Sequence, residues 1–269
     1  MNKIYKKLNK YFSIFKVSVM DRLAYPLELL YANIFILLIT LVMSGVWRVV
    51  YASQPDKIIS GFSLAGMIWY VFMTELILTS NPSIIGEIGE EIKSGNVAYA
   101  LTKPYSFVSY YFSSILGKTF INFITKLFVG VLVLICFIKF PSLNLFIVFA
   151  VIIAIILALV LNFLVSATCS LLAFWVEDVD SMRFIYQKIL FIGGGLLFPL
   201  DIYPVFLQKI LHYLPFEGIL YGPARTFVNF DLVYWQSLVL RQTIWIFIFI
   251  VLIKIVYAQG IKKVNINGG

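Results

Sequence analysis

The sequence predicts an all-α polytopic membrane protein: six transmembrane helices, an N-terminal amphipathic interfacial helix, and an outer re-entrant helical segment before the last span. Three observations lead there. Of 269 residues, 61% are hydrophobic and 13% are charged, against roughly 45–50% and about 25% in soluble domains. The apolar residues gather in blocks near the ~20 residues that cross ~30 Å of hydrocarbon. The basic residues behind the net charge of +8 cluster at the edges of those blocks, where anionic lipid attracts them. The partner that this charge implies is the lipid bilayer and not nucleic acid. The apolar excess runs over most of the length, so residues 1–269 read as a single membrane domain.

Residues 1–25 form the first unit. Ile4, Leu8, Tyr11, Phe12, Phe15, Val19 and Leu23 share one helical face, and Lys3, Lys6, Lys7, Lys10 and Lys16 lie mostly away from it. That pattern suits a helix lying in the membrane interface; a basic tail without fixed shape is the other reading. No signal-peptide core precedes residue 27, so the first span is expected to remain in the protein. Spans are predicted at 27–50, 62–80, 119–138, 147–172, 184–200 and 234–257. The fifth is short and holds Gly193, Gly194 and Gly195, which favour close helix approach, a kink, or neither.

The short flanks set the topology. With both termini inside, the inner side collects the N-terminal lysines, Arg22, Lys93, Lys103, Arg183, Lys188, Lys254, Lys262 and Lys263. The outer side collects only Arg48, Lys57, Lys139, Lys209, Arg225 and Arg241, as the positive-inside rule requires. Residues 81–105 and 175–183 are then cytoplasmic. In the former, Pro82 opens a short helix with Ile84, Ile85, Ile88 and Ile92 at helical spacing, Glu87, Glu90 and Glu91 fill the rest, and Gly95 can close it. It reads as a helix made to meet something at the membrane surface, or as a solvated loop. Residues 201–231 are outside, too apolar for a solvated loop and too often broken by Pro204, Pro215 and Pro223 to span. Backbone of this kind persists at membrane depth only when protein buries it or water faces it.

Chemistry is sparse. Gly117, Lys118 and Thr119 have the tail of a phosphate-binding loop, but Phe112 stands where its leading glycine belongs. A serine nucleophile in the Gly61–Leu64 stretch lacks a base, because the lone histidine, His212, falls in the outer segment. One histidine and two separated cysteines, Cys136 and Cys169, make no metal site, and the cysteines read as small buried apolar residues. No catalytic residue is expected. Within the spans Glu75 stands out, since an intramembrane carboxylate is a functional candidate by default. Pairing with a lysine or with backbone is the competing role. Glu28 and Arg48 lie at span ends, where long side chains reach the interface.

The pattern resembles the permease subunits of type 2 ATP-binding cassette exporters. Ile92, Ser94, Gly95, Leu101, Lys103 and Pro104 are similar to an element that follows the second span in one branch of that family. FPLDIYP at 198–204, LPF at 214–216 and YGP at 221–223 fit as well. The resemblance covers essentially the whole chain. It implies a half-transporter that pairs with a second permease, identical or paralogous, and docks on separate cytoplasmic ATPase subunits that hold ATP and magnesium. This chain itself holds no cofactor on that reading. The coupling residues implied are Glu87, Ile88, Glu90, Glu91, Ile92, Ser94 and Gly95. An outer gate falls on Gly193, Gly194, Gly195, Pro199, Asp201, Pro204, Pro215 and Pro223. The cargo expected is amphipathic, exported across the cell membrane: a drug, lipid, glycan precursor or peptide. The alternatives are a non-transporting immunity or assembly factor and a secondary transporter; the latter class shows paired repeats with intramembrane charges, and no repeat is visible here.

Overall fold

The computed structural model describes residues 2–53, 58–176 and 179–267. It is 83% helical. Helix α1 (Asn2–Leu23) leads into α2 (Pro26–Ala52), whose proline sits in the first turn, where a missing N–H is no loss. A two-stranded ribbon follows, β1 (Ile58–Ile59) and β2 (Phe62–Ser63). Ser60 and Gly61 both take positive φ, 48° and 85°, as a two-residue hairpin loop of right-handed twist needs. Next come α3 (Leu64–Ser80), α4 (Ile84–Lys93), α5 (Asn96–Leu101), α6 (Phe107–Ile135), α7 (Leu145–Leu171) and α8 (Val179–Gly193). Three short helices, α9 (Val205–Tyr213), α10 (Pro215–Ile219) and α11 (Tyr221–Val228), precede the 36-residue α12 (Leu232–Asn267).

Among the described residues, four helices, α2, α6, α7 and α12, are long and apolar enough to cross a membrane. With 17 and 15 residues, α3 and α8 are shorter. Helix α3 nevertheless forms the centre of the bundle. It is apolar on all sides, and a helix of that kind belongs in an interior. Trp69, Tyr70 and Phe72 are fully buried. The Ser63 side chain caps it by accepting from the Gly66 amide at 3.2 Å. Helix α2 packs on one side of it, α6 on another and α11 on a third. Gly130 of α6 lets the Phe72 ring come so close that a Cβ there would sit 2.1 Å from it.

Helices α7 and α12 pack along their length. Ala150, Ala154 and Ala158, all but fully buried, supply the small-residue face that close packing in lipid requires. Trp235 and Gln242 of α12 donate to the carbonyls of Ala150 and Ala154, each at 3.0 Å.

Several sequence expectations need correction. Helix α6 begins twelve residues before the predicted third span, because α1 runs beside its first half and covers it. Lys10 donates to the Pro104 carbonyl just before α6, and Ser18 donates to Ser114 and Arg22 to Asn122 in step along the two helices. The apolar face of α1 is therefore only partly free: Tyr11, Phe15 and Val19 are half-covered, while Leu8 and Phe12 stay exposed. The side chains of Lys3, Ile4, Lys6, Lys7 and Leu101, and all of Lys57, Glu177 and Asp178, lie outside the described residues. Helix α8, which holds the predicted fifth span, ends at Gly193 and does not reach residue 200. The glycines terminate it and do not kink it. Cys136 is exposed, not buried, and both cysteines are free.

Candidate functional site

The residues singled out by sequence occupy two ends of the bundle. At one end, α4 lies across α7 and α8. Ile84, Ile85, Ile88 and Ile92 are 1–7% exposed; Ile84, Ile88 and Ile92 pack with Val97, Phe107, Phe163 and Leu171 of this same chain, and Ile85 joins the main core around α3. Gly89 lets α4 seat on Val179, whose methyl would lie 2.3 Å from a Cβ. Ile88 and Ile92 thus cannot offer an open apolar face to a partner. They anchor α4 to its own bundle. What α4 presents outward is polar: Glu90 and Lys93 are exposed, as is Ser94 just beyond it, and Glu87 and Glu91 are half-buried. The three glutamates line an open hollow of about 640 Å³ together with Asn96, Tyr111 and Lys118. Lys118 grips Glu87 through both carboxylate oxygens, at 2.9 and 3.0 Å, which fixes one wall. Gly95, at φ 76°, turns the chain into α5 as its left-handed conformation permits. Beyond it Lys103 donates to the exposed Tyr99 hydroxyl at 2.5 Å. That bond and the lysine's charge lower the phenol's pKa, and the same bond raises the lysine's.

At the other end the glycine triplet closes α8. Gly195 takes φ 67°; its amide bonds to the Ile192 carbonyl and that of Leu196 to Phe191. These are the paired bonds of a Schellman cap. The turn's own carbonyls are satisfied from outside. The Tyr221 amide donates to Gly194 at 3.0 Å, Tyr70 donates to Gly195, and Thr74 donates to Leu196 at 2.7 Å. Two α3 hydroxyls and α11 thereby hold the end of α8. A Cβ on Gly194 would meet the Leu190 carbonyl at 2.5 Å, and one on Gly195 the Tyr70 hydroxyl at 2.9 Å. Gly194→Leu and Gly195→Leu are therefore expected to lower the melting temperature in detergent, by overpacking worth about 1–3 kcal/mol. Gly45→Leu, where a Cβ meets nothing within 4 Å, is expected to leave it unchanged.

Pro199, Pro204 and Pro215 each sit at the start of a helical turn or helix, and Pro223 lies in the first turn of α11. Asp201 accepts from the Tyr221 hydroxyl at 2.6 Å, tying the segment after α8 to α11. Sequence reasoning missed what lies beneath. Glu217, 1% exposed, accepts from Tyr234 at 2.9 Å and from Arg241 at 3.1 Å. His212 Nδ1 lies 3.0 Å from its other oxygen, and Arg241 also reaches His212 Nε2 at 2.7 Å. Arg225 stacks on the Tyr234 ring, 4.0 Å from its centroid. Arg241, read from sequence as an outer flank charge, pairs with Glu217 and so locks α10 to α12. The signal was available in principle: one carboxylate inside an apolar segment and one guanidinium inside a span.

Two hollows line α8 between these ends. One, of about 460 Å³, has Asn162, Ser166, Arg183, Tyr186 and Gln187 among its walls. The other, of about 380 Å³, is walled by Phe184, Ile185, Ile189, Ile192, Leu211 and Phe216. Glu75 does not enter either. It is 5% exposed on α3, and Lys126 of α6 is the charge that acts on it.

A family model described as ABC-2 family transporter protein matches residues 34–268. The chain belongs to that family. It is a multi-pass membrane permease of an ATP-binding cassette transporter, the non-enzymatic membrane component, and membership implies association with an ATPase subunit. No curated protein matches the chain. Of the readings left open by sequence, membership supports the first. The match begins at residue 34 and so takes in α3, α4, the α8 turn and α9–α11, the elements that carry both candidate regions.

Proposed function

We propose that this ABC-2 permease is one half of an exporter in the cell membrane. It pairs with a second permease, identical or paralogous, and moves an amphipathic cargo outward. The whole chain is one domain, with both termini cytoplasmic. Helices α2, α3, α6, α7, α8 and α12 make six crossings, and α9–α11 re-enter from the outer side. Cytoplasmic ATPase subunits, which bind ATP and magnesium, dock on α4. The observation that carries this reading is the form of α4: a short helix fixed to the bundle by buried isoleucines, with Glu87, Glu90 and Glu91 lining an open hollow. A rigid anionic lever of this kind suits a basic partner surface, with charge setting register. The hollows beside α8, one with polar and one with apolar walls, support an amphipathic cargo. The α8 turn and the segment 201–231 form the outer gate.

Two measurements test this. The permease is expected to copurify with a nucleotide-hydrolysing subunit; a chain that copurifies with none fits an immunity or assembly factor. Phe206→Cys and Tyr213→Cys, both 75% exposed side chains in the wild type, are expected to react with an impermeant thiol reagent from outside the cell, at rates that change with nucleotide state. Labelling from the cytoplasm alone would overturn the topology and the gate together.

A further inference from the structure

We infer that the wall between α1, α2, α4 and α6 is a binding site for a phosphate group, and that its natural source is a phospholipid headgroup. A cavity of about 400 Å³ opens there, lined by Arg22, Glu28, Glu87, Lys118, Asn122 and Lys126 among others. Most charges in the wall are already committed. Arg22 pairs with Glu28 at 2.6 Å and donates to Asn122 at 2.8 Å. Lys118 holds Glu87. Asn122 donates onward to the Ser80 carbonyl at 3.0 Å.

Asp21, an exposed carboxylate, also lines the wall, and Lys126 is the buried cation there that makes no ion pair among the described residues. It is 3% exposed, yet among the described residues its only hydrogen bond goes to the Thr79 carbonyl, at 2.5 Å. An ammonium carries three donors, so two remain for the cavity. Glu75 and Arg22 act on it from a distance, but Lys126 makes no ion pair among the described residues. A buried ammonium with unused donors and no direct ion-pair partner is poorly compensated; an incoming phosphate would accept from those donors, with the Arg22 guanidinium beside it as second donor.

The position argues for lipid as the source. The cavity sits where α1 ends and α2 begins, beside the start of the apolar α2 and one helical turn beyond Asn122 on α6. On the proposed topology this is headgroup depth at the inner face, which is the one respect in which the inference rests on that reading. Free phosphate would use the same donors, so the test separates the two.

The purified full-length permease is delipidated in detergent, and bound phospholipid is counted by native mass spectrometry. The wild type is expected to retain one phospholipid. Lys126→Gln is expected to retain at least tenfold less, Lys126→Arg close to the wild-type amount, and Lys209→Gln, an exposed lysine on α9, the wild-type amount. A second measurement needs no variant: the melting temperature of the wild type with dioleoylphosphatidylglycerol, with dioleoylglycerol, or with inorganic phosphate. Stabilisation by the phospholipid alone supports the lipid source. Equal stabilisation by inorganic phosphate supports the phosphate site and overturns the lipid as its source. Stabilisation by dioleoylglycerol equal to that by the phospholipid, or wild-type retention by Lys126→Gln, overturns the site. None of these readouts involves the ATPase, so failure here leaves the coupling proposal standing, and failure there leaves this one.

Discussion

Arg241→Ala is expected to cost about 3–5 kcal/mol of stability, the range for breaking a buried ion pair by removing one partner. Glu217 is 1% exposed and would keep its charge with one neutral donor, Tyr234, and a histidine placed 3.0 Å away. Glu217→Ala should cost a similar amount, because Arg241, whose side chain is 18% exposed, then loses its carboxylate. The informative variant removes both charges. Glu217→Gln with Arg241→Met leaves no uncompensated ion, and the amide oxygen introduced at that position still accepts from Tyr234. Measured against Glu217→Gln and Arg241→Met alone, the double variant should therefore recover most of the loss, giving a coupling energy of a few kcal/mol in a double-mutant cycle. The measurement is chemical or thermal unfolding of detergent-solubilised protein, followed by tryptophan fluorescence. Additive losses in the double variant would mean that the two residues act separately, and that Arg241 does not lock α10 to α12.

Much of the architecture was legible in the sequence, and the reasons are local. The apolar blocks and the lysines at their edges act over a few residues, so their meaning survives without knowledge of neighbours; Pro82, read as opening α4, lies just before its Ser83 cap. The isoleucine spacing in α4 also gave its helix and its buried stripe. What lay across the stripe was not legible. Periodicity says that a face is buried and cannot say by which chain, and the structure shows α7 and the residues around Phe107 filling that place. The glycine triplet had the same ambiguity: close approach, kink and helix end share one composition. The end was chosen by Tyr70, Thr74 and Tyr221, from elements far away in sequence. The Glu217–Arg241 pair and the pairings of Arg22 with Glu28 and Lys118 with Glu87 are likewise products of packing, since each joins residues on separate elements.

The burial of the isoleucines changes what mutation of α4 should do. Ile88→Asp is expected to unfold or misassemble the permease itself. Ile88 is 1% exposed in an apolar cluster, and a carboxylate there has no partner, at a cost of several kcal/mol. Loss of ATPase copurification in that variant would say nothing about docking. The variant that speaks to docking is Glu90→Lys with Glu91→Lys. Glu90 is exposed and Glu91 half-exposed, and neither joins an ion pair among the described residues. Their reversal should leave extraction yield and melting temperature near wild type, because exposed charges contribute little to a fold. If α4 docks a basic surface, each reversed charge replaces attraction by repulsion at the contact, and like-charge juxtaposition across an interface costs several kcal/mol. Copurified ATPase should then fall by at least tenfold, with the loss partly relieved at high salt, where exposed charges are screened. Glu87 should be left intact in this experiment, since its bond to Lys118 belongs to the permease. Wild-type copurification by the doubly reversed permease, at low salt and with normal folding, would remove the acidic hollow from the docking surface and with it the main support for α4 as the coupling helix.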